Sequence, residues 1–74
     1  MEFQYDQLVG ARVRRLRLER GWTQEQLAAR LQIAGCDVTR SALAKLEVGQ
    51  RHFYSQELKA LHEIFDVRYE DLLV

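Results

Sequence analysis

Few residues in this chain are of types that do covalent or metal chemistry, and their spacing does not help them. His52 and His62, the two histidines, have no converging ligands, so a metal site is not expected. Ser41 and Ser55 lack a companion base and a substrate pocket, which argues against nucleophilic catalysis. Cys36 is the single cysteine. An intramolecular disulfide is therefore impossible and a thiolate zinc cage is not expected. It falls in a segment read as a flexible loop, where an inert thiol is expected ahead of a redox switch or an intermolecular disulfide. What remains is charge. Residues 1–52 carry nine cations (Arg12, Arg14, Arg15, Arg17, Arg20, Arg30, Arg40, Lys45 and Arg51) against six acids. Residues 53–74 carry Lys59 and Arg68 against Glu57, Glu63, Asp66, Glu70 and Asp71. The totals, 11 Lys and Arg against 11 Asp and Glu, cancel, but the chain is polarised into a basic front, which a polyanion could bind, and an acidic back. Charge alone fits a solvated, mixed surface better than a binding face.

Size and composition set the frame. A chain of 74 residues is read as one domain, 1–74. With 47% apolar and 30% charged residues it has a globular rather than a disordered balance. Its apolar runs are too short to span a membrane. The stretch Met1 to Asp6 is polar and acidic, unlike a signal peptide, so the expected compartment is the cytoplasm. A domain this short rarely builds a deep pocket with a supporting shell, so an enzyme is not expected.

The elements that must position any site read as helices. There is no proline, no repeat and no β-type alternation. Val9, Val13 and Leu16, with Leu8 alongside, recur at helical spacing and predict a first helix from Tyr5 to Arg20, ended by Gly21. Gly10 inside it costs about 1 kcal/mol relative to alanine and so marks close helix packing. Thr23 with Gln26 forms a capping box that opens a second helix, to Gln32, with Leu27, Ala28 and Leu31 inward. Residues Ile33 to Asp37 form a turn using Gly35. Thr39 caps a third helix, to Val48, with Ala42, Leu43 and Leu46 inward, and Gly49 ends it. Gln50 to Tyr54 is a loop. Ser55 caps a fourth helix whose buried stripe is Leu58, Leu61, Ile64 and Phe65, and Asp66 takes the left-handed end position. A short fifth helix spans Tyr69 to Leu73, with Leu72 and Leu73 on the core. Trp22 is read as core, Phe53 as sealing the loop, and Phe3 and Tyr5 as extending the core. The fold class is thus all-α, five short helices around one small core, with a stability of only a few kcal/mol.

The second and third helices are short, joined by a glycine-containing turn, and the third has a polar outer face of Thr39, Arg40, Ser41, Ala44 and Lys45. That is the layout of a helix-turn-helix: one side apolar for docking, the other polar to reach base edges. Three segments in order, "GWTQEQLAARL", "VTRSALAKLEVGQR" and "ELKALHEIFDVRYEDLL", resemble the lambdoid-repressor type of helix-turn-helix domain, the Cro/CI or XRE family. The resemblance runs from Leu8 to Leu73.

This resemblance implies roles at matching positions. Arg40, Ser41 and Lys45 match positions that read DNA bases in the major groove, with Arg40 able to take guanine O6 and N7 together, and Thr39 matches a position that contacts base or phosphate. Thr23 and Gln24 at the start of the second helix, and Arg51 after Gly49, match phosphate contacts, with His52 a weak assistant. Arg17 and Glu47 match a salt bridge that fixes the angle of the recognition helix. The implied function is a sequence-specific double-stranded DNA-binding transcriptional regulator of repressor type, working as a possible homodimer without cofactor or metal. The chain departs from the pattern in its turn, where Gln32 to Asp37 stand in place of a single glycine. Its neutral charge, with few cations on the third helix, implies weak non-specific affinity. The alternative is a protein-interaction module, of antitoxin or anti-repressor type, on the same fold. A continuous basic face through Arg40, Lys45 and Arg51 would favour DNA; an acidic or apolar interruption would favour a protein.

Overall fold

Polar caps and left-handed residues divide the chain where an amphipathic helix would otherwise run on. The computed structural model describes residues 4–73, and the role expected of Phe3 lies outside them. Five helices follow in order: α1 (Gln4–Glu19), α2 (Gln24–Ile33), α3 (Arg40–Glu47), α4 (Ser55–Phe65) and α5 (Tyr69–Leu72). No strand occurs among the described residues. Thr23 accepts the Gln26 backbone N–H at 3.1 Å while Gln26 Oε1 accepts that of Thr23 at 2.8 Å, so two N–H groups at the helix start are satisfied reciprocally. Thr39 Oγ1 likewise accepts from Ala42 N at 3.1 Å. Asp66 ends α4 with φ 53°, in the left-handed region. The cap of α4 differs from expectation: Tyr54, not Ser55, is the capping residue, and its N–H is held by Glu57 Oε1 at 2.9 Å.

The inward faces meet in one cluster. Val13, Leu27, Leu31, Leu43, Leu46, Leu61 and Leu72 are fully buried, and Phe65 nearly so. Leu58, Ile64, Ala42 and Leu73 are only partly buried against the cluster; on α4, Glu57 and Ala60 take part of the inner face. Phe53 and Trp22 also pack against it from its edge. Trp22 stacks on Phe65 with ring centroids 5.8 Å apart and carries the Arg30 guanidinium 3.9 Å from its ring centroid. Tyr5 is half exposed rather than core. It shares the face of Val9, Val13 and Leu16 but stands a turn earlier, in the first turn of α1.

Two segments pack more tightly than their composition suggests. Cys36 is 3% exposed and belongs to the core, which corrects its reading as part of a flexible loop. Its N–H reaches back to Leu31 O at 2.9 Å, and its Sγ lies 3.6 Å from Gln56 O. The turn from α2 to α3 is therefore pinned by Cys36 and the fully buried Val38. Gly10 lets α1 touch the backbone of α3. A Cβ there would fall 2.8 Å from the carbonyl oxygen of Glu47 and closer still to that of Leu46, so only glycine permits this contact.

Candidate nucleic-acid interface

The contact at Gly10 brings α1 against the C-terminal turn of α3 and sets up a buried ion pair. Arg17 Nε donates to Glu47 Oε2 at 2.7 Å, and Nη2 donates to Oε1 at 3.0 Å. Nη1 donates to the Trp22 carbonyl at 2.8 Å. Both side chains are almost wholly buried, so two ions sit in low dielectric with their hydrogen-bonding groups matched. Gln24 joins from α2: its Nε2 donates to Glu47 Oε1 at 3.1 Å. Three helices are thus tied at one carboxylate, and no buried side-chain nitrogen or oxygen among the described residues lacks a partner.

Above this brace, the N-terminal ends of α2 and α3 border an open cleft of about 520 Å³, lined by Arg14, Arg17, Thr23, Gln24, Glu25 and Arg40. The first turn of α2 leaves backbone N–H groups unpaired inside the helix, and its positive end favours an anion. Gln24 keeps a second amide hydrogen beyond the one given to Glu47. Arg14 and Arg40 are exposed and have no ion-pair partner among the described residues. The chemistry of the cleft is that of a phosphate seat, except for Glu25, an exposed acid on its wall.

The outer face of α3 carries Arg40, Ser41 and Lys45, all exposed, with Thr39 exposed at the cap. Leu43, Leu46 and Glu47 take the opposite, buried face. The basic face does not continue to Arg51. Both terminal nitrogens of that guanidinium lie 2.9 Å from the two Glu57 oxygens, and the group sits 4.7 Å above the Tyr54 ring. The bonds from Glu57 hold the Arg51 guanidinium above its ordinary arginine pKa, against the opposing effect of burial. Buried Glu57 needs this partner, so Arg51 closes the loop onto α4 instead of facing outward with Arg40 and Lys45. His52 Nδ1 pairs with Asp6 Oδ2 at 2.5 Å, tying the same loop to α1.

The comparisons agree with this geometry. A model of the helix-turn-helix family matches residues 13–72. The chain belongs to the XRE-type helix-turn-helix family, the Cro/CI-like group. Searches of curated proteins and of solved structures return no match. The five helices form the lambda-repressor-like arrangement of that family. As an XRE-type domain the protein is in general terms a DNA-binding regulator, of a family not typically enzymatic. No helix among the described residues is long and apolar enough to cross a membrane.

Sequence reading missed two residues of this XRE-type surface. Arg14 reaches the cleft from α1. Its spacing from Arg17 was a usable signal, since residues three apart share a helix face. Val48, just past α3, is 56% exposed. Counting from Ser41 in steps of four and three reaches Ala44, Lys45 and Val48, which places Val48 on the outer face rather than at a hidden helix end.

Proposed function

We propose that this protein is a sequence-specific double-stranded DNA-binding transcriptional regulator, acting in the cytoplasm as a repressor, built as a single helix-turn-helix domain over 1–74. The observation that carries the reading is the cleft at the joint N-termini of α2 and α3. There, exposed Arg14 and Arg40 flank Thr23 and Gln24, above a brace that fixes the angle between the helices. In this reading α3 lies in the major groove, with Thr39, Arg40, Ser41 and Lys45 at base edges. Arg40 reads guanine with its planar fork, worth about 1–3 kcal/mol of discrimination. A phosphate sits at the cleft, held by Gln24, Thr23, Arg14 and the first N–H groups of α2, and fixes the register. Arg51, engaged with Glu57, adds to the local field rather than making the phosphate contact. Two copies on half-sites about 34–36 Å apart would complete a two-fold complex.

The test is selection from a random duplex library, followed by titration of the enriched duplex at two salt concentrations. An enriched, roughly palindromic site is expected. Arg40→Ala should weaken binding and relax preference at one position, whereas Gln24→Ala should weaken all duplexes alike. The protein-interaction reading is favoured by two observations, the exposed Leu8 and Leu18 on the outer side of α1 and the interruption of the basic face at Arg51, which Glu57 engages. Failure of the folded protein to bind any duplex at low salt would select it.

A further inference from the structure

The side of α1 turned away from the core carries a second apolar stripe. Gln4, Leu8, Ala11, Arg15 and Leu18, all exposed, follow one another in steps of four and three, so they share one face of the helix. Val9, Val13 and Leu16 enter the core from the opposite side. Leu8 and Leu18 leave 56% and 54% of their surface in water. They stand about 15 Å apart along the helix axis. Ala11 between them is short enough for another helix to come close.

Charge decides what can cover this stripe. Arg14 and Arg15 are exposed beside and within it. Arg14 has no ion-pair partner among the described residues. Arg15 has only Glu19, at 3.7 Å with both side chains more than half exposed. A second copy laid antiparallel would match Leu8 to Leu18, but it would crowd Arg12, Arg14 and Arg15 of both chains at the centre, where like charges repel. A lipid surface would gain two leucines, short of the broad apolar face that interfacial helices bury. A helix with an apolar seam and acidic flanks answers both the leucines and the cations.

Arg14 joins this face to the cleft. It stands one turn before Leu18 and also lines the phosphate seat. Resting on the reading above that the cleft holds DNA, we infer that the outer face of α1 docks an acidic amphipathic helix of a partner protein, and that docking releases DNA. The two ligands compete for one guanidinium. A carboxylate of the docked helix takes Arg14 away from the phosphate.

The experiment uses the full chain, isotope-labelled for amide NMR, and a synthetic helical peptide of about four heptads with leucine along its seam and glutamate on both flanks. A control peptide carries lysine on the flanks. The amide signals of Leu8, Ala11, Arg15 and Leu18 should move with the acidic peptide and not with the control. Leu18→Ser should weaken the peptide about tenfold, the value of one leucine withdrawn from the seam, and should keep its affinity for the enriched duplex. Arg14→Gln should weaken both ligands about threefold, the size of one exposed ion pair. Added peptide should displace the duplex from wild type, and the same amount should not displace it from Leu18→Ser. Leu18 is exposed, so its variant is expected to fold; circular dichroism checks this. Shifts confined to other helices, a peptide affinity indifferent to Leu18→Ser, or a duplex that stays bound while α1 is occupied overturns this inference alone. So does a wild-type dimer that Leu18→Ser disperses, which makes a second copy the occupant, or binding to phosphatidylglycerol vesicles in place of the peptide. If wild type binds no duplex at low salt, the DNA reading fails first and takes the competition with it.

Discussion

Replacing Glu47 by alanine removes both oxygens that meet Arg17 and leaves the guanidinium with the Trp22 carbonyl alone. Water cannot make up the loss cheaply, because the Arg17 side chain is only 8% exposed. An uncompensated buried charge of this kind costs about 3–5 kcal/mol. Chains of this length have a total stability of about 4–11 kcal/mol, so the substitution removes a large share of it. The midpoint of thermal unfolding should fall by at least about 12 °C, since about 1 kcal/mol moves a small domain by 4–8 °C. Urea unfolding followed by circular dichroism and by the single tryptophan, Trp22, measures the change. The double variant Arg17→Met/Glu47→Leu removes both charges and keeps the volume, and should regain most of the stability. That variant should still bind DNA more weakly across all sequences, because Gln24 has lost the acceptor that aims it at the cleft. A cost for Glu47→Ala below about 1 kcal/mol, the value of an exposed pair, would refute the reasoning. So would a double variant as unstable as the single one.

The remaining predictions concern single contacts. Gly10→Ala should lower stability by about 1 kcal/mol or more despite the better helix propensity of alanine, because the new Cβ meets backbone carbonyls that cannot swing aside; a thermal melt showing stabilisation would contradict the close approach. Glu25→Gln should raise affinity for every duplex about twofold at low salt, the size expected of one removed charge several ångströms from a phosphate in water. The gain should fade as salt is added. Cys36 should alkylate at least about tenfold more slowly at pH 8 in the folded protein than in urea. Burial first, and the Glu57 charge second, raise its pKa and so reduce the thiolate at that pH. Equal rates measured with iodoacetamide would show the thiol to be open.

The local elements were legible because their signals are local. Thr23 with Gln26 and Thr39 with Ala42 need only neighbours along the chain to form their caps, and the spacing of Val9, Val13 and Leu16 already describes a helix face. The cap of α4 was less legible. Ser55 is a good capping type, but the carboxylate that holds the helix start is Glu57, and its burial depends on Arg51 across the loop. Cys36 was misread for a related reason. Its segment looks like a loop in composition, yet Val38 beside it and the Gln56 carbonyl across from it place it in the core. Tertiary partners, invisible to spacing, decide both. The resemblance implied the pairing of Arg17 with Glu47, but not that Gln24 shares the same carboxylate, which depends on how α2 approaches α3.

The neutral total charge, which argues against a polyanion partner on its face, loses that force once the pairs are located. Glu47 is engaged by Arg17, Glu57 by Arg51, Asp6 by His52 and Asp71 by Arg68. The acids of the back half lie on α4, α5 and the turn between them. On the cleft wall, exposed Arg14 of α1 and Arg40 of α3 stand with Glu25 as the one exposed acid, and Lys45 adds an exposed cation further along α3. The field a ligand meets is set by these few charges within about 10 Å, because salt screens the remainder. A chain whose charges cancel can therefore still present a positive face. With so few cations on that face, counterion release can add only modestly to affinity, and discrimination must rest on close contacts made by a helix held at a fixed angle. The buried pair of Arg17 and Glu47 holds that angle.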